Sequence, residues 1–172
     1  MSMKRFYCLL GCEFICLFVL SGCLQETADR SYTNDVYGFS LNVPVGWQEI
    51  DTSLPDIAVV FSPQNSSNVS LKIGIPFTIG EGRALSTYAD QVEENLSESG
   101  VNYTILFRDW RSLSQLQVYE IAYWYDVDGT QRYVKQVAIL RTRTVFLITF
   151  AAPLSASGQY VDEVDESIDS FR

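Results

Sequence analysis

Two runs of β-forming residues, 118–127 and 131–140, are separated only by the turn around Asp128-Gly129. Asp and Gly both tolerate positive φ, and a two-residue turn built from them matches the right-handed twist of the strands it joins. The spacing therefore predicts a long antiparallel hairpin, and a hairpin of that length needs a larger sheet around it. From Val118 to Tyr125 both alternating faces are apolar or aromatic. A strand of this kind belongs to a sheet covered on both sides.

The remaining segments supply that sheet and its cover. Phe39-Ser40-Leu41-Asn42-Val43 alternates apolar and polar residues, the pattern of a half-buried strand. Pro44 and Gly46 end it, because Pro cannot donate to a ladder and Gly tolerates a turn. Residues 57–61 and 69–76 predict two further strands, and a strand follows over about 103–110. A turn at 141–143 leads into a strand over 145–151. Leu85, Ala89, Val92 and Leu96 fall on one stripe of a predicted helix at 85–99, with Gly100 suited to its stop. A second helix is predicted over 157–171, burying Val161, Val164, Ile168 and Phe171. Its acidic residues, Asp162, Glu163, Asp165, Glu166 and Asp169, are expected mainly outward and solvated. Strands with one helix midway and one at the end imply an α+β fold: an antiparallel β-sheet flanked by helices.

The N-terminus has a different character. Lys4 and Arg5 precede an apolar run that ends in Leu20-Ser21-Gly22-Cys23, which reads as a lipobox. Cleavage between Gly22 and Cys23 would leave a lipid on the Cys23 thiol. The apolar run spans residues 6–20, short of the roughly 20 residues that cross a bilayer. Glu13 interrupts it, and an ordinary cleaved signal or an uncleaved anchor are the alternatives. The expected organisation is a signal peptide at 1–22, a lipid-anchored Cys with a polar tether at 23–36, and one domain at 37–172. Cys8, Cys12 and Cys16 lie in the leader, so the mature chain has no internal disulfide to form.

Composition excludes several function classes. The chain has 12 basic and 21 acidic residues; without the leader's Lys4, Arg5 and Glu13 these become 10 and 20, a net charge of −10. Such a surface repels nucleic acid, and the lipid on Cys23 becomes the expected membrane contact. Histidine is absent, which removes the usual general base, the usual metal ligand and any Ser-His or Cys-His pair. No cofactor or metal is implied, and no enzyme activity is expected. Of six asparagines, four stand in sequons: Asn65, Asn68, Asn95 and Asn102 are candidate N-glycosylation acceptors. With the lipobox and the acidic surface they point to an archaeal cell surface. A bacterial origin stays open, and there the sequons carry no meaning.

Four constellations are candidate sites. Asp126-Val127-Asp128-Gly129-Thr130 has calcium-like oxygens but lacks the remaining ligands of an EF-hand loop, so turn chemistry explains it. Arg108, Arg111, Arg132, Lys135, Arg141 and Arg143 gather in the C-terminal sheet. Arg141 and Arg143 flank a turn where they could grip an anion or an acidic partner, although solvated hairpin charge is the simpler account. Tyr119, Tyr123, Trp124 and Tyr125 could stack on a sugar, or fill a sheet core. No spacing among the acids selects a pair for glycoside hydrolysis.

The segment Tyr37-Gly38-Phe39-Ser40-Leu41-Asn42-Val43-Pro44-Val45-Gly46-Trp47 resembles the PsbP-like superfamily, which includes the Ran-binding Mog family and the DcrB-type bacterial lipoproteins. The strand order, the mid-chain helix and a terminal helix ending in Ser170-Phe171 are also similar to it. The resemblance implies an α/β/α sandwich used mostly as a non-catalytic, partner-binding scaffold. Calcium association and photosystem attachment, known of its photosynthetic branch, find no matching residues here. The expected function is a lipid-anchored, non-catalytic domain that binds an envelope protein partner at the extracytoplasmic face of the membrane. A ligand- or glycan-binding lipoprotein is the alternative, and a carboxylate-based hydrolase the third.

Overall fold

A computed structural model describes residues 30–80 and 84–172. The leader, the lipobox and Cys23 lie outside the described residues. Among those described, no helix is long and apolar enough to cross a membrane.

The long hairpin lies near one edge of the sheet. Strands β1 (Arg30–Asn34) and β2 (Phe39–Val43) form a small antiparallel pair. The main sheet contains β3 (Trp47–Ile50), β4 (Ile57–Pro63), β5 (Ser70–Gly74), β7 (Asn102–Leu113), β8 (Leu116–Val127), β9 (Thr130–Arg141) and β10 (Thr144–Pro153). Its order is β3-β4-β5-β10-β9-β8-β7, and the short β6 (Phe77–Thr78) pairs with β10. Asp128 (φ 54) and Gly129 (φ 79) make the β8–β9 turn as expected. The β7–β8 hairpin turns on Ser114 (φ 46) and Gln115 (φ 76).

The sheet is covered on both faces. Helix α1 (Leu85–Glu98) lays Leu85, Ala89 and Val92 on Tyr119, Ile121, Tyr123, Val134, Ala138 and Val145. Gly100, at φ 68, follows its C-cap Ser99 and lets the chain turn away. The opposite face packs beneath the β1–β2 pair and α3 (Val161–Asp169), around Phe39, Phe61, Phe146, Phe150 and Phe171. The rings of Phe39 and Phe171 stack 5.9 Å apart, and Phe146 meets Phe171 edge-on at 5.2 Å. The expected sandwich of helix, antiparallel sheet and helix is the observed one.

Two expectations need correction. Residues 30–34, expected within the tether, form β1, because their ladder to β2 and the packing of Tyr32 on Phe61 (5.1 Å) outweigh a polar local composition. The single terminal helix is instead a short α2 (Leu154–Ser157) followed by α3. Val164, Ile168 and Phe171 are buried as expected, and Val161 partly so. The free side of β2 is closed as well: Ser170 Oγ accepts from the Asn42 N–H at 2.7 Å, and Ser167 Oγ donates to the Asn42 carbonyl at 2.6 Å. Ser40 and Arg172 exchange backbone bonds of 3.1 and 2.9 Å.

Candidate functional site

Strand β7 stands at one end of the main sheet and is 12 residues long, whereas β3 at the other end has four. A long edge strand offers a row of backbone donors and acceptors to any added strand. Leu106 is the extra residue of a bulge: Ile105 faces Tyr123 and Phe107 faces Ala122. Leu106 (50% exposed), Phe107 (40%) and Trp110 (49%) bring three large apolar side chains to this edge. Trp110 rests its ring on Tyr119, 4.8 Å between centroids, leaving about half its surface to solvent. The N–H of Trp110 donates to Asp109 Oδ1 at 2.8 Å rather than to the β8 ladder, so it points off the sheet edge.

Behind the edge, on the face that carries α3, lies a chain of charges. Arg111 Nε donates to Glu120 Oε1 at 2.5 Å, and its Nη2 to Asp169 Oδ1 at 2.8 Å. Lys135 Nζ reaches Asp165 Oδ1 at 2.5 Å and stands 3.6 Å from Glu120 Oε2. Lys135 and Glu120 are buried, 5% and 6% exposed, and the ammonium also sits 5.5 Å from the Phe107 ring. Two cations thus bridge three carboxylates and fasten α3 to β7, β8 and β9. Burial, together with the charges of Asp165 and Glu120, pushes the neighbouring Tyr133 hydroxyl up to about 12. On the other face Arg108 pairs with Glu93 of α1 and holds that carboxyl below its ordinary range.

The acidic face of the last helix is therefore not simply solvated. Asp165 and Asp169 bind Lys135 and Arg111, and Glu163 accepts from Trp47 Nε1 at 2.9 Å. Asp162, Glu166 and Asp169 are exposed, while Glu163 and Asp165 are partly buried. The basic residues do not gather into one patch: Arg141 donates to the Gly38 carbonyl at 2.7 Å and stacks 4.5 Å from the Phe146 ring. It is committed there rather than held for an anion with Arg143. Tyr119 and Tyr123 are buried under α1, 2% and 7% exposed, and Trp124 is on the opposite face, so the four aromatics form no exposed platform. In the Asp126 turn, Asp126 Oδ1 accepts from the Gly129 N–H at 2.9 Å, a turn-closing bond. Among the described residues no group of His, Cys, Asp and Glu could hold a metal ion. All four sequon asparagines are exposed.

A shallow hollow of about 370 Å³ lies elsewhere, between residues 50–54 and the β4–β5 surface. Val60, Ser70, Lys72 and Arg132 line it, and Arg132 donates to the Asn68 carbonyl at 3.0 Å. Sequence reasoning missed the β7 edge and Glu120. The signals were an aromatic between two charges, Asp109-Trp110-Arg111, and an acid inside an apolar run, Tyr119-Glu120-Ile121.

A family model described as DcrB matches residues 39–170. No curated protein matches the sequence. The fold is similar to the solution structure of cyanobacterial PsbP (CyanoP) from Synechocystis, with a TM-score of 0.66 and 16% identity over 88% of this chain and 95% of that one. It is also similar to LpqN of Mycobacterium tuberculosis, described as involved in cell envelope biogenesis: TM-score 0.60, 13% identity, 83% of each chain covered. PA94 of Pseudomonas aeruginosa, a protein of unknown function and putative regulator, aligns with a TM-score of 0.56 and 13% identity over 83% of this chain and 94% of its own. At such identities the likeness is one of fold.

Proposed function

Because the chain belongs to the DcrB family, we propose that it is a lipid-anchored, non-catalytic domain that binds a protein partner at the extracytoplasmic face of the cell membrane. The observation that carries this reading is the β7 edge: 12 residues long, unpaired on one side and bearing Leu106, Phe107 and Trp110. An edge of this kind is the ordinary receptor for an added strand, with main-chain bonds giving affinity and alternate side chains giving specificity. Behind the edge, Glu120, Asp165 and Asp169 are held in ion pairs with Arg111 and Lys135, which suits a scaffold better than acid–base chemistry. The lipobox supports anchoring through Cys23, and the fold shared with LpqN supports an envelope setting.

Capture from native membranes tests the reading. Wild type is expected to retain an envelope protein after mild crosslinking, and Trp110→Lys to lose it with unchanged folding. Cys23→Ser is expected to lose both the lipid and the cleavage after Gly22. Retention of the same protein by Trp110→Lys, or membrane attachment and processing of Cys23→Ser as in wild type, contradicts the corresponding part. A second reading, binding of a small ligand, is favoured by the hollow lined by Lys72 and Arg132. A thermal shift with anionic ligands or glycans that is lost in Lys72→Met would favour it over the first.

A further inference from the structure

We propose that the β7 edge binds a second copy of this chain, forming a two-fold dimer in which two β7 strands pair antiparallel and join the two sheets. This rests on the reading of β7 as a docking edge and names its occupant. A two-fold axis perpendicular to the sheet maps each face onto itself, so residues directly opposite must share a face. On β7, Phe107, Asp109, Arg111 and Leu113 share the α3 face, facing Ala122, Glu120, Val118 and Leu116 of β8. Arg108, Trp110 and Ser112 share the α1 face. The axis must therefore fall between a residue and its own copy, and the candidates at the middle of the exposed run are Arg108, Asp109, Trp110 and Arg111.

Charge selects among them. Centring on Arg108, Asp109 or Arg111 sets that charge against its own copy, and like charges directly opposite are destabilising. Centring on Trp110 does not. Trp110 then meets Trp110 of the second copy, Asp109 meets Arg111 and Arg111 meets Asp109, while Phe107 is opposite Leu113 and Arg108 opposite Ser112. The register pairs apolar with apolar and acid with base, twice over by symmetry.

The present contacts are compatible with it. Arg111 spends Nε on Glu120 and Nη2 on Asp169, leaving Nη1 for an incoming carboxylate. Asp109 now occupies the outward N–H of Trp110. In the dimer that N–H donates to a backbone carbonyl of the second copy, which frees Asp109 to reach Arg111 across the axis. Asp109 thus acts as a cover on the lone edge and as an ion-pair partner in the joined one. The two-fold also closes the assembly, whereas β7 added to the β3 edge of the next molecule would run on as a filament.

Sedimentation of the full chain in mild detergent tests this, with Asp109→Arg and, as a control on the other edge, Glu49→Arg. The expected result is a dimer for wild type and for Glu49→Arg, and self-association weaker by roughly tenfold or more for Asp109→Arg, whose new charge faces Arg111. Asp109 is exposed, so the variant is expected to keep the wild-type circular dichroism. A dimer that persists unchanged in Asp109→Arg overturns the interface. A wild type that is monomeric at all concentrations, yet captures a different envelope protein through Trp110, overturns the dimer and leaves the docking reading standing.

Discussion

Lys135 shows how much one side chain can carry. Its side chain is 5% exposed, and its ammonium meets Asp165 at 2.5 Å and lies 3.6 Å from Glu120. Removing one member of a buried charge set leaves the others desolvated without a partner, which costs on the order of 3 kcal/mol. Lys135→Met is therefore expected to lower the unfolding free energy by about that much, read as a shift of the denaturant midpoint. Asp165→Asn should cost clearly less, since that side chain is 38% exposed and its carboxylate can be hydrated. Equal costs would contradict the assignment of Lys135 as the buried centre of the network.

The elements differ in how openly the sequence declares them. Asp128-Gly129 announces its turn because both residues accept positive φ cheaply. Ser114 and Gln115 turn the chain in the same way without that chemistry, so the strand before them reads as ending at about 110 when it runs to Leu113. The apolar stripes of α1 and α3 are legible from periodicity alone. The partners of the α3 carboxylates are not, because Asp165 meets a residue 30 positions away and Asp169 one on the far strand β7. The same holds for β1, whose polar residues become a strand only when Phe39–Val43 lies beside them. The edge status of β7 depends on the order of the whole sheet, which no local pattern encodes.

At the scale of the whole molecule, both cores hold tyrosines whose ionisation opposes the fold. Burial, with the charge of Glu93, pushes the Tyr119 hydroxyl up to about 12, and burial with Asp165 and Glu120 does the same for Tyr133. Burial also raises Tyr88 and Tyr123. Groups raised in the folded state but ordinary in the unfolded one stabilise the fold below pH about 10 and lose that contribution as pH climbs through about 12. Tyrosinate absorbance and circular dichroism should therefore change together across that window. A smooth tyrosine titration with the fold intact would show that both cores admit the charge.

The claim that β7 is where this domain meets its partner is tested most directly by a photo-crosslinking residue placed at position 110 of the full chain in native membranes. Val45, 41% exposed and outside β7, serves as the reference position. The account predicts a strong adduct from position 110 and little from position 45, with the attached peptide identifying either a second copy of this chain or another envelope protein. No adduct at 110, or equal adducts at both positions, would contradict it.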